Sequence, residues 1–420
     1  METTLLTNRA DKNLLAWQAS HRHDTFNDRM RAFSLYMQET RRQSENTYAR
    51  EVLSSYNREV IIQDSYSGHQ RTMLMFASNN YLGLANHPWV NKMVKKAIDR
   101  YGTGIGGPPL LNGYSHLMRE LEERLAYMKG KESALIFSSG FTANLGILGS
   151  LVKARDKVLY DELSHASFLD GIHIPGIVST PFRHNDVAAL EEELIKNGNQ
   201  GTCFVGVEGI YSMEGDIAPL DKIARLCKKY QAISIVDDAH GTGIVGTHGG
   251  GTADLMNCEE LIDVSMGTFS KTFAMTGGFV AASADLVEYM RYFARPYLFS
   301  AALTPATLAA VLAGLDVMSK EPWLKDQLHS NVRYAAKLLA PFNIVSKPAG
   351  GIISLQIPKG MNIRKAAFRF HELGIFINSI EAPAVPAGKE RFRISFMAQH
   401  TRSDIERLAE AVETVWKIQD

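Results

Sequence analysis

Several short stretches carry side chains that can do chemistry together. Lys271 lies in Gly267-Thr268-Phe269-Ser270-Lys271-Thr272, flanked by hydroxyls and aromatic rings, with Gly277-Gly278 close behind. An amine in such a setting is a candidate Schiff-base nucleophile. Asp237 and His240 stand in Val236-Asp237-Asp238-Ala239-His240-Gly241. A carboxylate at a buried strand end can hold a cationic ring nitrogen. Ser138-Ser139-Gly140-Phe141 opens a helical pattern. Small residues there leave free N–H groups and the positive end of the helix dipole facing a phosphate. His165, in His165-Ala166-Ser167, offers an imidazole that can stack on a flat ligand. Taken singly, each has a structural explanation: a surface lysine, a loop cap, a helix cap, a structural histidine.

The elements around them give these residues a common address. Short apolar runs at 134–137, 158–160, 203–207, 233–236, 263–266 and 278–282 alternate with helical segments. That pattern predicts a mostly parallel sheet covered on both faces. Ligands in such sheets bind beyond the carboxyl ends of the strands, which is where the candidates fall. Helices are expected at 88–101 and 116–128. After about residue 321 the pattern becomes α+β, with strands near 352–357, 375–378 and 392–396 and helices at 363–373 and 402–416. Residues 1–72 are polar and charge-dense, and Phe26, Met30, Phe33 and Met37 recur on one helix face. The expected division is therefore an N-terminal helical arm (1–72), a large domain (73–320) and a smaller α+β domain (321–420). The arm's apolar stripe suits packing on the body or on a second subunit; a membrane or carrier-protein surface is the other use of such a stripe.

Composition narrows the partners. The 420 residues carry 45 basic and 45 acidic side chains, so no global basic excess points to nucleic acid. Cys203, Cys227 and Cys258 fit neither a zinc spacing nor a disulfide framework, so no metal site is expected, and a reducing, cytoplasmic setting suits them. Met1 to Lys12 has no long apolar core and does not read as a signal peptide. The charge-free stretches 133–152 and 298–315 contain Asn144, Pro305 and several hydroxyls and read as buried core rather than membrane spans. Contact with the inner membrane is expected to be peripheral at most. Two G-x-G-x-x-G patterns, at Gly102/Gly104/Gly107 and Gly241/Gly243/Gly246, lack the strand-before, helix-after context of a dinucleotide site.

Read in order, a phosphate-binding helix start, a stacking histidine, an aspartate and a hydroxyl–Ser–Lys segment specify a pyridoxal phosphate site. The sequence resembles the α-oxoamine synthases, fold-type I pyridoxal phosphate enzymes that include serine palmitoyltransferase and aminooxononanoate synthase. The resemblance rests on Ser78-Asn79-Asn80-Tyr81-Leu82-Gly83-Leu84, Ser139-Gly140-Phe141, His165-Ala166-Ser167, Ser212-Met213-Glu214-Gly215-Asp216, the stretch from Val236 to Gly241 and the stretch from Gly267 to Lys271. It runs from about Met73 to the C-terminus. Ala382-Pro383-Ala384-Val385-Pro386, with Arg393 and the following Phe396-Met397-Ala398-Gln399-His400-Thr401, looks closest to the bacterial serine palmitoyltransferases.

The resemblance implies an aspartate aminotransferase-like α/β fold: a mostly parallel seven-stranded sheet plus a smaller α+β C-terminal domain. It implies Lys271 as the Schiff-base amine that later moves the Cα proton, Asp237 as partner of the pyridinium nitrogen, and His165 as the ring platform. It places His240 and Ser212 beside the ring. Ser139, Gly140, Phe141, Thr268 and Ser270 cup the phosphate, and Ser300 reaches it from the neighbouring subunit of a homodimer. Asn79 and Arg393 clamp the amino-acid carboxylate, a task suited to the paired donors of a guanidinium. The implied reaction is a decarboxylative Claisen-type condensation of an amino acid with a fatty acyl thioester of CoA or acyl-carrier protein. Pro108-Pro109 departs from the family, many of whose members carry a Ser/Thr-Arg pair there. Serine, cysteate, glycine and alanine all stay open as the amino acid. A non-catalytic paralogue would lack the lysine that Lys271 supplies.

Overall fold

Alternating burial sets up strands earlier than the helical-arm reading expects. In the computed structural model, which describes residues 13–173, 177–197 and 201–417, the first described elements are helices Leu14–Ser20 and Phe26–Arg42. Strands β1 (Glu51–Val52), β2 (Glu59–Gln63) and β3 (Gln70–Met75) follow. In β2 the two-residue period buries Val60 and Ile62 against Met73 and Met75, which a helix could not do. The arm is therefore helical only through residue 42. Beyond it, β3 pairs in parallel with Ile375–Phe376, tying this segment to the C-terminal region. The expected stripe also docks differently. Phe26 and Met30 stay exposed, while Tyr36 is buried and its hydroxyl accepts from Arg364 Nη1 at 2.5 Å.

The central sheet contains β4 (Ser133–Phe137), β5 (Lys157–Asp161), β6 (Val178–Phe182), β7 (Cys203–Glu208), β8 (Ile233–Asp237), β9 (Val264–Thr268) and β10 (Gly278–Ala282), in the order β4-β10-β9-β8-β7-β5-β6. Pairing is parallel from β6 through β9, and only β10 runs antiparallel to its neighbours. Successive side chains feed opposite cores: Phe204 and Ile235 join one cluster, Val205 and Val236 the other. β6 escapes a hydropathy reading because Ser179, Thr180 and Pro181 separate its two large apolar residues. It sits at the sheet edge, where Pro181 leaves no ladder bond unmade.

Both charge-free stretches lie inside this body. The first forms β4 and helix Gly140–Leu151; the second leads into helix Pro305–Lys320, which buries Leu308, Val311 and Leu315. No described helix is long and apolar enough to cross a membrane.

The C-terminal elements are β11 (Ile352–Gln356), helix Ile363–Glu372, β12 (Ile375–Phe376), β13 (Asn378–Ile380), β14 (Arg391–Ser395) and helix Arg402–Trp416. The single strand expected at 375–378 is divided. β12 extends the N-terminal sheet, and β13 pairs antiparallel with β14 in the sheet β11-β14-β13. Buried Ile377 turns the chain between them. The division matters because it puts Asn378 opposite Arg393.

Candidate active site

Strand ends gather the candidate residues, and each is held by its local structure. Ser139 caps helix Gly140–Leu151 by accepting from Thr142 N, in a capping box. The N–H groups of Gly140 and Phe141 are left without intrahelical acceptors. Gly140 is required sterically: a Cβ there would lie 2.9 Å from Thr268 Cβ. Gly278 begins the antiparallel strand opposite both Phe137 and Thr268, and a Cβ on it would come within 2.5 Å of Gly140 N. These two glycines keep a small cup open between the helix start and the end of β9.

The cup widens into a cavity of about 250 Å³ lined by Ser139, Gly140, Phe141, His165, Ser167, Glu208, Asp237, Ala239, His240, Met266, Thr268, Ser270 and Lys271. The sequence candidates for cofactor contact thus converge, apart from Ser212 and Ser300. Thr268 Oγ1 and Ser270 Oγ lie 2.9 Å apart, presenting two hydroxyls at one wall.

Asp237 is buried and firmly placed. Its Oδ2 accepts from Asn144 Nδ2 at 2.8 Å, and its Oδ1 accepts from Ala239 N at 3.1 Å. Asn144 Nδ2 also donates to Ser167 Oγ at 2.8 Å, and Ser167 Oγ lies 2.8 Å from His165 Nδ1. Ser167 N donates to that same Nδ1 at 3.2 Å, so Nδ1 is an acceptor and the ring proton sits on Nε2. One hydrogen-bonded line therefore sets both the acidic floor and the stacking ring.

Cross-strand register pairs Glu208 with Asp237. Burial, with the neighbouring Asp237 charge adding to it, holds the Glu208 carboxyl well above the usual carboxylate range. Its Oε2 accepts from Ser212 N at 3.1 Å, while its buried Oε1 has no protein partner. Burial also pushes the pKa of Lys271 down, aided by the Arg393 charge and opposed by Asp237 and Glu208. A lowered amine pKa raises the share of neutral, nucleophilic lysine. Burial lowers His165 as well and drives His240 far below its ordinary value, with Lys271 adding to both.

The second group forms a pocket wall through His240. Tyr81 Oη lies 2.7 Å from His240 Nδ1 and 3.3 Å from Asn79 Oδ1. Arg393 is 5% exposed. It donates from Nε to Ser212 O at 2.6 Å, from Nη2 to Asn79 Oδ1 at 3.1 Å and from Nη1 to Ser395 Oγ at 3.2 Å. Among the described residues these partners are neutral, and no carboxylate pairs with it. A buried guanidinium left in this state is set to meet an anion from outside the chain.

Ser212 thus serves through its backbone, with its carbonyl on Arg393. Ser300 lies away from the cavity of its own chain, beside Pro109, Phe137 and Tyr297. Its segment is tied to the Pro108-Pro109 loop by Ala302 N donating to Gly107 O at 2.9 Å, and Phe299 and Leu111 are exposed on the two segments. Asn144, Tyr81, Glu208 and Ser395 join the site without having been candidates. Asn144 is a helix-interior amide, and only its contact across 93 positions to Asp237 gives it meaning.

Comparisons with known proteins identify the family and the fold. Residues 71–412 match the family model described as aminotransferase class I and II. The chain is 38% identical over 354 residues to a serine palmitoyltransferase of Bacteriovorax stolpii, covering 83% of this chain and 84% of the relative. It is 36% identical over 348 residues to an 8-amino-7-oxononanoate synthase of Lysinibacillus sphaericus, covering 83% and 90%. Among solved structures, Sphingomonas wittichii serine palmitoyltransferase superposes with a TM-score of 0.86 at 29% identity, covering 96% of this chain and 98% of that one. A variant serine palmitoyltransferase from S. paucimobilis, solved with PLP and myriocin bound, gives a TM-score of 0.88 at 28% identity, covering 94% and 100%.

Proposed function

The chain belongs to the aminotransferase class I and II family and, within it, to the α-oxoamine synthases, and from that premise we propose that it condenses a small amino acid with a long-chain acyl thioester. It is a pyridoxal phosphate-dependent acyltransferase. The residues present fit the cofactor: the glycine-lined cup accepts a phosphate, and the orphaned Glu208 Oε1 and the floor carboxylate Asp237 face the same cavity. Pyridoxal phosphate, when bound, supplies an electron sink for the pair left at Cα.

The protein's own residues do the rest. Gly140 and Phe141 N–H groups, with Thr268 and Ser270 hydroxyls, hold the phosphate, and Ser139 fixes the helix start. Asp237, oriented by Asn144, faces the ring nitrogen, and His165 supports the ring face. His240 would flank the ring, and Ser212 acts through its carbonyl on Arg393. Lys271 would hold the cofactor through its amine and carry the Cα proton. Arg393 and Asn79 hold the amino-acid carboxylate. The new carbon–carbon bond joins Cα to the acyl carbon, the thiol leaves, carbon dioxide is lost, and an α-amino ketone departs.

The observation that carries this reading is Arg393, a buried guanidinium without a carboxylate partner, close enough to the Lys271 amine to depress its pKa. Serine or cysteate with an acyl-CoA or acyl-carrier protein, giving a sphingoid or sulfonolipid precursor, is favoured by the motif at 382–386 and the segment following Arg393. Glycine or alanine is the second reading, favoured by the equally similar oxononanoate synthases. The active form is proposed to be a cytoplasmic homodimer, at most peripheral at the inner membrane. Ser300 would complete the partner's phosphate cup, and exposed Phe299 and Leu111 support a contact surface there.

A spectral titration of the holoenzyme with serine, cysteate, glycine and alanine tests the substrate, followed by acyl transfer from CoA and carrier-protein thioesters. Absence of a response to every amino acid rejects the proposal. Arg393→Ala should weaken amino-acid binding by about 100-fold, as expected when a charged hydrogen-bond partner is truncated, while the bound-cofactor absorbance persists. An unchanged titration curve rejects the clamp.

A further inference from the structure

His184, just beyond β6, lies outside the cavity lining and has no role in the site as described above. Its Nδ1 is 3.0 Å from Asp161 Oδ1, and its Nε2 is 3.0 Å from Asp216 Oδ2. Both ring nitrogens face carboxylates, so both must donate, and the ring is an imidazolium. Burial opposes that charge, but the hydrogen bonds the ring donates to Asp161 and Asp216 overcome it and push the pKa up to about 10. Tyr211 meets the ring edge-on at 4.4 Å. Asn185 reinforces the latch: its N–H donates to Asp161 Oδ2 at 2.8 Å and its Nδ2 to Asp216 Oδ2 at 3.1 Å.

Asp161 ends β5 and belongs to the rigid sheet. Asp216 belongs to the loop after β7, which closes on itself through the Ile210–Ile217 bridge and the bond from Tyr211 N to Asp216 O at 2.9 Å. The tip of this loop meets the C-terminal sheet. Ser212 O accepts from Arg393 Nε at 2.6 Å, Met213 O accepts from Ser354 Oγ at 2.6 Å, and Glu214 pairs with Arg391 at 2.8 Å.

We infer that His184 is a positioning residue for the amino-acid carboxylate: by latching Asp216 to Asp161 it fixes the Ser212 carbonyl, which takes Arg393 Nε and aims the remaining guanidinium N–H groups at the ligand. The inference rests on Arg393 being the carboxylate clamp. His184 does not line the cavity. Its effect therefore falls on amino-acid binding, with cofactor binding spared, because Gly140, Asp237 and Lys271 are held by other contacts.

The test uses holoenzymes of His184→Gln and Asp216→Asn. Asp216→Asn keeps the His184–Asp161 contact and serves if the first variant fails to fold. Spectral titration with the amino acid that the wild type binds should show affinity reduced about 10-fold or more, the scale of effect expected from small misplacement of a binding group. Cofactor dissociation constants should match wild type, and the double variant should bind no worse than the single ones. Unchanged amino-acid affinity in a folded, cofactor-loaded variant overturns the inference. Parallel loss of amino-acid affinity, cofactor affinity and thermal stability also overturns it, since that is a merely structural role. Should Arg393→Ala bind the amino acid normally, the clamp reading falls instead.

Discussion

Replacing Lys271 with alanine is expected to abolish acyl transfer, with turnover falling by about 10,000-fold or more, while the protein still folds and retains the cofactor non-covalently. A positioned proton-transfer group contributes roughly 100- to 10,000-fold by itself, and Lys271 is proposed both to attach the cofactor and to move the Cα proton. Among the described residues no carboxylate forms an ion pair with the amine, although the charges of Asp237, Arg393 and Glu208 all act on it. Removing it therefore breaks no ion pair among the described residues. Absorbance spectra before and after dialysis against excess free cofactor, together with single-turnover assays, measure the effect. Wild-type protein that stays colourless after reconstitution sinks the reading outright. A Lys271→Ala variant with wild-type turnover would remove the lysine from the chemistry.

The second large effect is expected at Asp237. Asp237→Asn preserves shape but deletes the charge opposite the ring nitrogen. Breaking a buried charge pair by removing one partner costs about 3–5 kcal/mol, or roughly 150- to 5,000-fold in cofactor affinity or turnover. The variant should lose both cofactor retention and the electron-sink chemistry, and its fold should survive because the amide oxygen can keep the bond from Ala239 N while Asn144 turns its unpartnered Oδ1 toward the new amide nitrogen. Equilibrium dialysis of the cofactor separates the two consequences. Equal cofactor affinity and equal turnover in Asp237→Asn would exclude a charge role for this residue.

Much of this site was legible because its parts follow a local rule. Lys271, Asp237, His165 and Ser139 each come just after an apolar run or at its last residue, and a parallel sheet gathers such positions at one edge. The hydroxyls at Thr268 and Ser270 and the glycines at Gly140 and Gly278 are likewise near neighbours of strand termini. Less was legible in the N-terminal segment. A helical stripe at Phe26–Met37 drew attention from the short alternation at 59–63, where the two buried residues are too few to outweigh charge density. β6 was silent because an edge strand can be polar and tolerate proline.

The sequence by itself determined which chemical groups are present and their order beyond successive strands, since periodicity and capping depend only on near neighbours. Sheet order decided the rest. Arg393 meets Asn79 across 314 positions, and Asn144 meets Asp237 across 93. His184 joins Asp161 to Asp216, 23 and 32 positions away. Such contacts depend on which strands are neighbours and how the loops between them close, and no local pattern of side chains encodes either. The physical consequence is a division of labour. Local sequence supplies the proposed nucleophile, acid and phosphate cup, while long-range packing leaves the buried Arg393 guanidinium without an anion among the described residues and holds it steady for the ligand proposed to complete it.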